Sequence, residues 1–157
     1  MKKLFLTLIL NLTVVLDSFA IQAPNFALKD ESGKVVELSK LKSEVVFLTF
    51  WATTCHSCKD ELPQISSSIY PKYKDRVKFY AVVIDTDNPK YIPSIKQEWS
   101  FNLPVLFGNS DVMEKYRIIG TPITYIIGKN NNIVKIFIGP QSMEKFEQAI
   151  KKGLGEG

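Results

Sequence analysis

Two cysteines separated by two residues, in the order Cys55-His56-Ser57-Cys58, are the side chains of this sequence best suited to chemistry. They are the only cysteines among the 157 residues, and they closely follow the apolar run Val45–Trp51. A C-x-x-C pair at the junction of a buried strand and a helix is the arrangement that reversible dithiol chemistry needs. The sequence therefore predicts thiol-disulfide exchange.

The two sulfur atoms are predicted to have different environments. A helix that begins at Cys55 places this sulfur against unpaired backbone N–H groups and the positive end of the helix dipole, and both favour thiolate over thiol. Cys55 is therefore the predicted nucleophile. Cys58, three residues on, lies on the same helix face and is predicted to point back toward the protein, where it resolves a mixed disulfide.

Other uses of the cysteine pair fit the sequence less well. A structural disulfide around a four-residue loop would stabilise the fold by roughly 2 kcal/mol, less than the about 3 kcal/mol of a fifteen-residue loop. Zinc needs four ligands, and the sole histidine, His56, lies between the cysteines. A copper-binding chaperone would need a remote histidine, and a peroxidase motif would need a proline where Leu48 stands. We expect no metal and no cofactor beyond the redox-active Cys55–Cys58 disulfide.

Two neighbours of the cysteines are further candidates for the site. His56, when protonated, would favour the thiolate, but we favour an exposed residue that tunes the reduction potential over one that transfers protons. Glu61 follows Cys58 by three residues, on the helix face that turns back toward the sulfur. It is either a partly buried carboxylate that exchanges a proton with the resolving thiol or an ordinary acid of the first helical turn.

A proline far downstream has two interpretations. Gly120-Thr121-Pro122 immediately precedes the apolar run Ile123–Ile127. A proline at a strand entrance is either a trans turn residue or the site of a cis peptide bond. The local sequence leaves both open.

Strand and helix patterns alternate along the chain. Val45–Trp51 is a continuous apolar and β-branched run too short for a helix, which predicts a strand covered on both faces. Residues 21–44 predict a short hairpin, and residues 59–73 predict a helix kinked at Pro63. The other predicted elements are strands at 77–84, 103–107, Ile123–Ile127 and Ile133–Ile138, helices at 91–99 and from a cap at Asp111, and a final helix from Ser142. The order predicts an α/β fold, a central mixed sheet flanked by helices, in one domain within residues 21–157.

The N-terminus predicts export. Two lysines, an apolar stretch at residues 4–16 and the small residues of 18–20 describe a signal peptide at residues 1–20. The alternative is an uncleaved anchor, although a spanning helix needs roughly 20 apolar residues and Asp17 ends this stretch early. We expect the folded part in the periplasm or another extracytoplasmic compartment of a bacterium. Removal of residues 1–20 lowers the net charge from +4 to +3, which gives no support to nucleic-acid binding.

Together these features resemble the thioredoxin fold, and specifically the extracytoplasmic TlpA/ResA-like thiol-disulfide oxidoreductases. The resemblance spans nearly the whole chain after residue 20. It is carried by the lead-in at 23–34, Phe50-Trp51-Ala52 before the cysteines, Glu61-Leu62-Pro63 after them, and Gly120-Thr121-Pro122.

The resemblance implies roles for several of these residues. Pro122 would be cis and lie against the sulfur atoms, and the backbone of Thr121 would pair with an extended stretch of substrate. Trp51 is predicted, with Thr121 and Pro122, to bind substrate. Glu61 is implied to be the catalytic acid, because the family's active-site acid occupies this spacing. Thr49 stands where thioredoxin itself carries a buried acid and cannot accept a proton, which again leaves Glu61 as the candidate.

The chain departs from the family at two positions beside the cysteines. The family usually has tryptophan where this chain has Thr54, and it often has proline where this chain has Ser57. Both changes should alter substrate contact and reduction potential, with His56 and Ser57 as the residues that tune the potential.

The resulting functional hypothesis is a monomeric reductase of disulfides in exported proteins. A membrane thiol donor would return electrons to the enzyme, and by resemblance cytochrome c maturation is a natural pathway. The alternative within redox chemistry is a disulfide oxidase or isomerase of the same fold.

Overall fold

The computed structural model describes residues 20–157, so residues 1–19 of the predicted signal peptide lie outside the described part. The strands are β1 (Ala27–Lys29), β2 (Val35–Glu37), β3 (Val45–Trp51), β4 (Val77–Val83), β5 (Val105–Phe107), β6 (Ile123–Ile127) and β7 (Ile133–Ile138). The helices are α1 (His56–Gln64), α2 (Tyr70–Tyr73), α3 (Ile92–Trp99), α4 (Ser110–Lys115) and α5 (Met143–Gly153), with 3-10 turns at Leu38–Leu41, Pro89–Tyr91 and Lys129–Asn131. No helix within residues 20–157 is both long enough and apolar enough to span a membrane.

The central sheet is mixed, as the sequence predicts. Its strand order is β5-β4-β3-β6-β7. Strand β3 lies in the middle, parallel to β4 and antiparallel to β6. The predicted α/β architecture is therefore confirmed, and the strand that leads to the cysteines is the central one.

Strand β3 is covered on both faces, and all seven of its residues are buried. Phe47 and Trp51 pack into a core beneath α1, α3 and α5, whereas Leu48 and Phe50 pack into a second core toward α4 and the N-terminal hairpin. Because side chains alternate along a strand, a continuous apolar run supplies both cores. This burial fixes the strand from which the active-site loop departs.

The N-terminal hairpin is present, with β1 antiparallel to β2, and it is attached at the β5 edge of the sheet. Asp30 forms an isolated bridge with Leu106. The Glu31 carboxylate accepts hydrogen bonds from the Val105 N–H at 3.0 Å and from the Lys96 ammonium at 2.8 Å. These contacts tie the hairpin to an edge strand and a neighbouring helix.

The helix that follows the cysteines differs from the prediction for residues 59–73. It begins earlier, at His56, and passes through Pro63 before it widens into a π-helical turn at Ile65–Ile69. The N–H of Tyr70 then bonds to the carbonyl of Ile65, five residues back. Pro71 lacks an N–H and its ring crowds the carbonyl four residues earlier, which accounts for a wider turn ahead of it.

Of the two predicted helix caps, one is confirmed. Ser142 caps α5, with its hydroxyl accepting from the Lys145 N–H. The cap of α4 is Asn109, whose side-chain oxygen accepts from the Val112 N–H at 2.9 Å, so the prediction of Asp111 is wrong. Asp111 instead lies in the first turn, where an acid is also favoured by the helix dipole.

Two threonines face each other in the middle of the sheet. Thr49 of β3 and Thr124 of β6 lie opposite each other, each 1% exposed, and the Thr124 hydroxyl donates to Thr49 Oγ1 at 2.8 Å. Each hydroxyl therefore satisfies the other inside the core, with no ionisable group at this position.

Replacement of one threonine should harm stability more than replacement of both. In Thr49→Val the buried Thr124 hydroxyl loses its partner, and we expect the free energy of unfolding to fall by about 1–3 kcal/mol. In the double variant Thr49→Val/Thr124→Val no polar group is left unpaired, and the loss should nearly vanish. Urea denaturation at neutral pH measures both. A double variant at least as unstable as Thr49→Val would show that the hydroxyl pair does not have this role.

Candidate active site

Cys55 lies at the N-terminus of α1, in the capping position. The Cys55 N–H donates to the Ala52 carbonyl at 3.1 Å, which closes a tight turn between β3 and the helix. Its sulfur accepts a hydrogen bond from the Cys58 N–H at 3.2 Å. The sulfur therefore pairs with a helix N–H that has no backbone partner and lies at the positive end of the helix dipole, the environment that favours a thiolate in the reduced protein.

The two sulfur atoms differ in exposure. Cys55 and Cys58 are joined by a disulfide; Cys55 is partly exposed, whereas Cys58 is fully buried within the core beneath α1. A substrate sulfur approaching from solvent therefore meets Cys55, and Cys58 stands behind it. This asymmetry agrees with the predicted roles of nucleophile and resolving residue.

Thr121 and Pro122 lie beside the exposed sulfur. The Thr121–Pro122 peptide bond is cis, and the Thr121 carbonyl oxygen lies 3.5 Å from Cys55 Sγ. Pro122 is buried and Thr121 is partly exposed. The structure thus brings the loop from residue 121 to the cysteines across 66 residues of sequence, as the resemblance implies.

Glu61 is a buried acid. It is 3% exposed, and its Oε2 atom accepts a hydrogen bond from the Gln141 N–H at 2.7 Å. Burial raises the pKa of the Glu61 carboxyl from 4.5 to about 7, an effect that the Gln141 hydrogen bond partly opposes. A carboxyl with this pKa, one helical turn after Cys58, exchanges a proton readily near neutral pH.

Trp51 does not lie where a substrate can touch it. The side chain is fully buried and packs edge to face against Trp99 at 5.3 Å and Phe101 at 5.5 Å between ring centroids. The prediction of Trp51 as a substrate-binding residue is therefore wrong. As the last residue of β3, Trp51 supports the active-site loop from below.

The residues between and before the cysteines are accessible. The Ser57 hydroxyl lies 3.7 Å from Cys55 Sγ. The His56 side chain is 92% exposed, with Nε2 at 3.7 Å from the Asp60 carboxylate. Thr54 is exposed as well. The tuning roles of His56 and Ser57 stay predictions.

A shallow pocket of about 280 Å³ opens beside Cys55. Ile95 and Trp99 of α3 line one side, and the Lys59–Glu98 ion pair, 2.8 Å between charged atoms, lies at its rim. A larger groove of about 540 Å³ runs between β7 and α5 and is lined by neither cysteine. The smaller pocket is the one within reach of the reactive sulfur.

Sequence reasoning missed two contributors to the site. Asp85, directly after the predicted strand 77–84, accepts hydrogen bonds from Thr53 in the loop before Cys55; its position beside the end of β3 was a signal, because parallel neighbours end at the same edge of a sheet. Gln141 contributes only its backbone N–H to Glu61. A backbone donor leaves no signal in the residue type.

The fold and the site together define a class of protein. A thioredoxin-like sheet carries a C-x-x-C disulfide at a helix N-terminus, with the outer sulfur accessible and the inner one buried beside an acid of raised pKa. This arrangement performs thiol-disulfide exchange.

Comparison with known proteins supports the assignment of thiol-disulfide exchange. Residues 20–136 match the AhpC/TSA family. The thiol-disulfide oxidoreductase ResA of Bacillus subtilis (strain 168) is 31% identical over 140 residues, 86% of this chain and 77% of that protein. ResA of Bacillus thuringiensis subsp. konkukian is 30% identical over 133 residues, 83% of this chain and 76% of that protein.

A solved structure shows the same architecture. The crystal structure of a protein described as the thiol:disulfide interchange protein DsbE of Chlorobium tepidum is 28% identical, has a TM-score of 0.74, and covers 87% of this chain and 97% of that one. The chain belongs to the AhpC/TSA family and, within it, is a thiol-disulfide oxidoreductase related to ResA.

The buried acid makes stability depend on pH. Between pH 4.5 and about 7 the folded oxidised protein keeps the Glu61 proton that the unfolded chain has lost, so the free energy of unfolding falls as pH rises through this window. The loss at alkaline pH should total about 3 kcal/mol. Glu61→Gln should remove this pH-dependent loss of stability, whereas substitution of the exposed Glu114 in Glu114→Gln should leave the loss unchanged. Urea denaturation at pH 4.5 and pH 8 tests this, and an unchanged pH dependence in Glu61→Gln would contradict it.

Proposed function

We propose that this oxidoreductase is an extracytoplasmic reductase of disulfides in exported proteins. The observation that supports this proposal most is the arrangement of the two sulfurs, the outer one accessible beside Thr121 and the inner one buried one helical turn before Glu61. A protein disulfide can reach Cys55, and the buried Cys58 then resolves the mixed disulfide that forms.

The proposed reaction transfers two electrons in two steps. The Cys55 thiolate attacks one sulfur of the substrate disulfide, forms a mixed disulfide and releases the other substrate sulfur as a thiolate. Cys58, after giving its proton to Glu61, attacks Cys55 Sγ, forms the Cys55–Cys58 disulfide and releases the second substrate thiolate. Protons from Glu61 and solvent neutralise the products. No cofactor is needed, because the two sulfur atoms hold both electrons.

Charges around the sulfur atoms support the proposed direction of electron flow. A strong oxidant needs an unusually stable reduced form. The His56 ring is exposed and next to the Asp60 carboxylate, which offsets any positive charge that His56 would otherwise offer to the Cys55 thiolate. Glu61, once ionised, disfavours a second negative charge on Cys58. Both effects favour the disulfide form of the enzyme and hence a reductant.

The proposed location and partners are supported by the N-terminal sequence and the family resemblance. The signal-like residues 1–20 support a site of action outside the cytoplasm, with the enzyme either free or held at the membrane. There a membrane thiol donor would reduce the Cys55–Cys58 disulfide after each turnover. Among exported substrates we propose apocytochrome c, whose cysteines must be reduced for haem attachment.

The reduction potential separates the reductase from the alternative oxidase or isomerase. We expect a value near the about −270 mV of thioredoxin-type reductants. Equilibration with glutathione or dithiothreitol buffers, followed by quantification of the Cys55 thiol, measures it. A value close to the about −120 mV of strong oxidants would reject the reductase and favour the oxidase.

Substitution of each cysteine should separate their roles. Cys55→Ser should abolish reduction of insulin disulfides, because no accessible thiolate remains. Cys58→Ala should accumulate mixed disulfides with partners in the native host, since the resolving sulfur is missing. The double variant Cys55→Ser/Cys58→Ala is the matched control and should trap nothing. Adducts formed equally by the control, or retained activity in Cys55→Ser, would contradict the assignment.

A further inference from the structure

Asp85 lies where the active-site loop leaves the sheet. Strand β4 runs parallel to β3 with Trp51 opposite Val83, and the Ile84 N–H still donates to the Trp51 carbonyl at 3.0 Å. The next residues of both segments, Ala52 to Thr53 and Asp85, leave the sheet side by side. The backbone ladder ends here.

The Asp85 carboxylate continues the connection between the two segments. The Thr53 N–H donates to both of its oxygens at 2.9 Å, and the Thr53 hydroxyl donates to Oδ2 at 2.7 Å. Charge-assisted hydrogen bonds of this kind are stronger than neutral ones. The same residue, Thr53, lies inside the turn that the Cys55 N–H closes onto the Ala52 carbonyl at 3.1 Å.

This turn alone joins the rigid strand β3 to the reactive sulfur. It spans residues 52–54; Thr53 is partly exposed and Thr54 is exposed, so apolar packing does little to hold these two residues. The turn sets where Cys55 Sγ lies relative to its Cys58 N–H donor at 3.2 Å and the Thr121 carbonyl at 3.5 Å. A small displacement there moves the sulfur away from both.

We propose that Asp85 is a positioning residue for thiol-disulfide exchange. Its carboxylate holds Thr53, and through the turn it keeps Cys55 Sγ at the helix N-terminus and close to the Thr121 carbonyl. The inference rests on the exchange chemistry of Cys55 and is independent of the direction of electron flow.

The negative charge of Asp85 and the turn geometry that Asp85 maintains shift the pKa of the Cys55 thiol in opposite directions. A negative charge held on Thr53, two residues before Cys55, disfavours the thiolate, so loss of the charge alone should lower the pKa of the Cys55 thiol. Loss of the turn geometry should raise that pKa, because the sulfur leaves the Cys58 N–H. Asp85→Asn removes the charge but keeps an acceptor for the Thr53 N–H, whereas Asp85→Ala removes both.

The test compares these variants with Asp87→Ala, a neighbouring acid that is exposed as Asp85 is, as the matched control. It uses the insulin-reduction rate and the pH dependence of Cys55 alkylation by iodoacetamide in the reduced protein. Misplacement of a reacting group by about 1 Å can lower a rate by about 100-fold, and we expect Asp85→Ala to lose at least about tenfold in kcat/KM, with the pKa of the Cys55 thiol higher than in Asp85→Asn. The kcat/KM of Asp85→Asn should stay within about threefold of the parent value, and that of Asp87→Ala should equal the parent value.

Thr53 provides a second, independent arm. Thr53→Val keeps the N–H donor and removes the hydroxyl, so it should lose less activity than Asp85→Ala. The double variant Asp85→Ala/Thr53→Val should be no worse than Asp85→Ala, because both changes break the same contact. Far-ultraviolet circular dichroism checks that each variant folds. If Asp85→Ala does not fold, the proposal is tested with Asp85→Asn and Thr53→Val.

Three results would overturn the proposal. Equal losses in Asp85→Ala and Asp85→Asn would show that the charge matters rather than the geometry. Parent-like rates in Asp85→Ala would show that the turn holds itself, and additive losses in the double variant would show that Asp85 and Thr53 act separately. If the parent itself does not reduce insulin, the reductase proposal fails, while the alkylation profiles still decide the role of Asp85.

Discussion

The hydrogen bond from the Cys58 N–H to Cys55 Sγ is the interaction on which the site depends. It exists because β3 ends at Trp51 and α1 begins at His56, so that Cys55 falls at the capping position where helix N–H groups have no backbone partner. The buried strand fixes one end of this connection and the helix fixes the other. The sulfur that meets solvent is thus held by the fold itself, at the place where a negative charge is most favoured.

The two sulfur atoms of the disulfide lie in different environments, and thiol-disulfide exchange needs both environments. Cys55 faces the Thr121 carbonyl and solvent, where a polypeptide can reach it. Cys58 is enclosed with Glu61, whose pKa is raised to about 7 because its carboxylate is buried with a single backbone donor. An exposed thiolate begins the exchange, and a shielded thiol with a proton acceptor nearby completes it. A site with both sulfurs exposed would lack this order.

The sequence predicts those features that a local pattern encodes. The length and continuous apolar character of Val45–Trp51 indicate a central strand covered on both faces, and the spacing of Cys55 and Cys58 indicates a helix-capping dithiol. Other features depend on contacts between distant segments. The cis bond before Pro122 is implied only by resemblance, the Asp85–Thr53 contact needs two strands in register, and the burial of Trp51 depends on α3 and the residues after it. The π-helical turn ahead of Pro71 reflects a backbone conflict that apolar periodicity does not report.

The ionisation of Cys55 in the reduced protein tests the central claim most directly. The rate of its alkylation by iodoacetamide, followed across pH in Cys58→Ser so that only one thiol reacts, gives the pKa of the Cys55 thiol. The helix N-terminus should hold this pKa well below the about 8.5 of an unperturbed cysteine. A value of about 8.5 or higher would mean that the helix does not stabilise the thiolate, and it would contradict the role of Cys55 as the activated nucleophile.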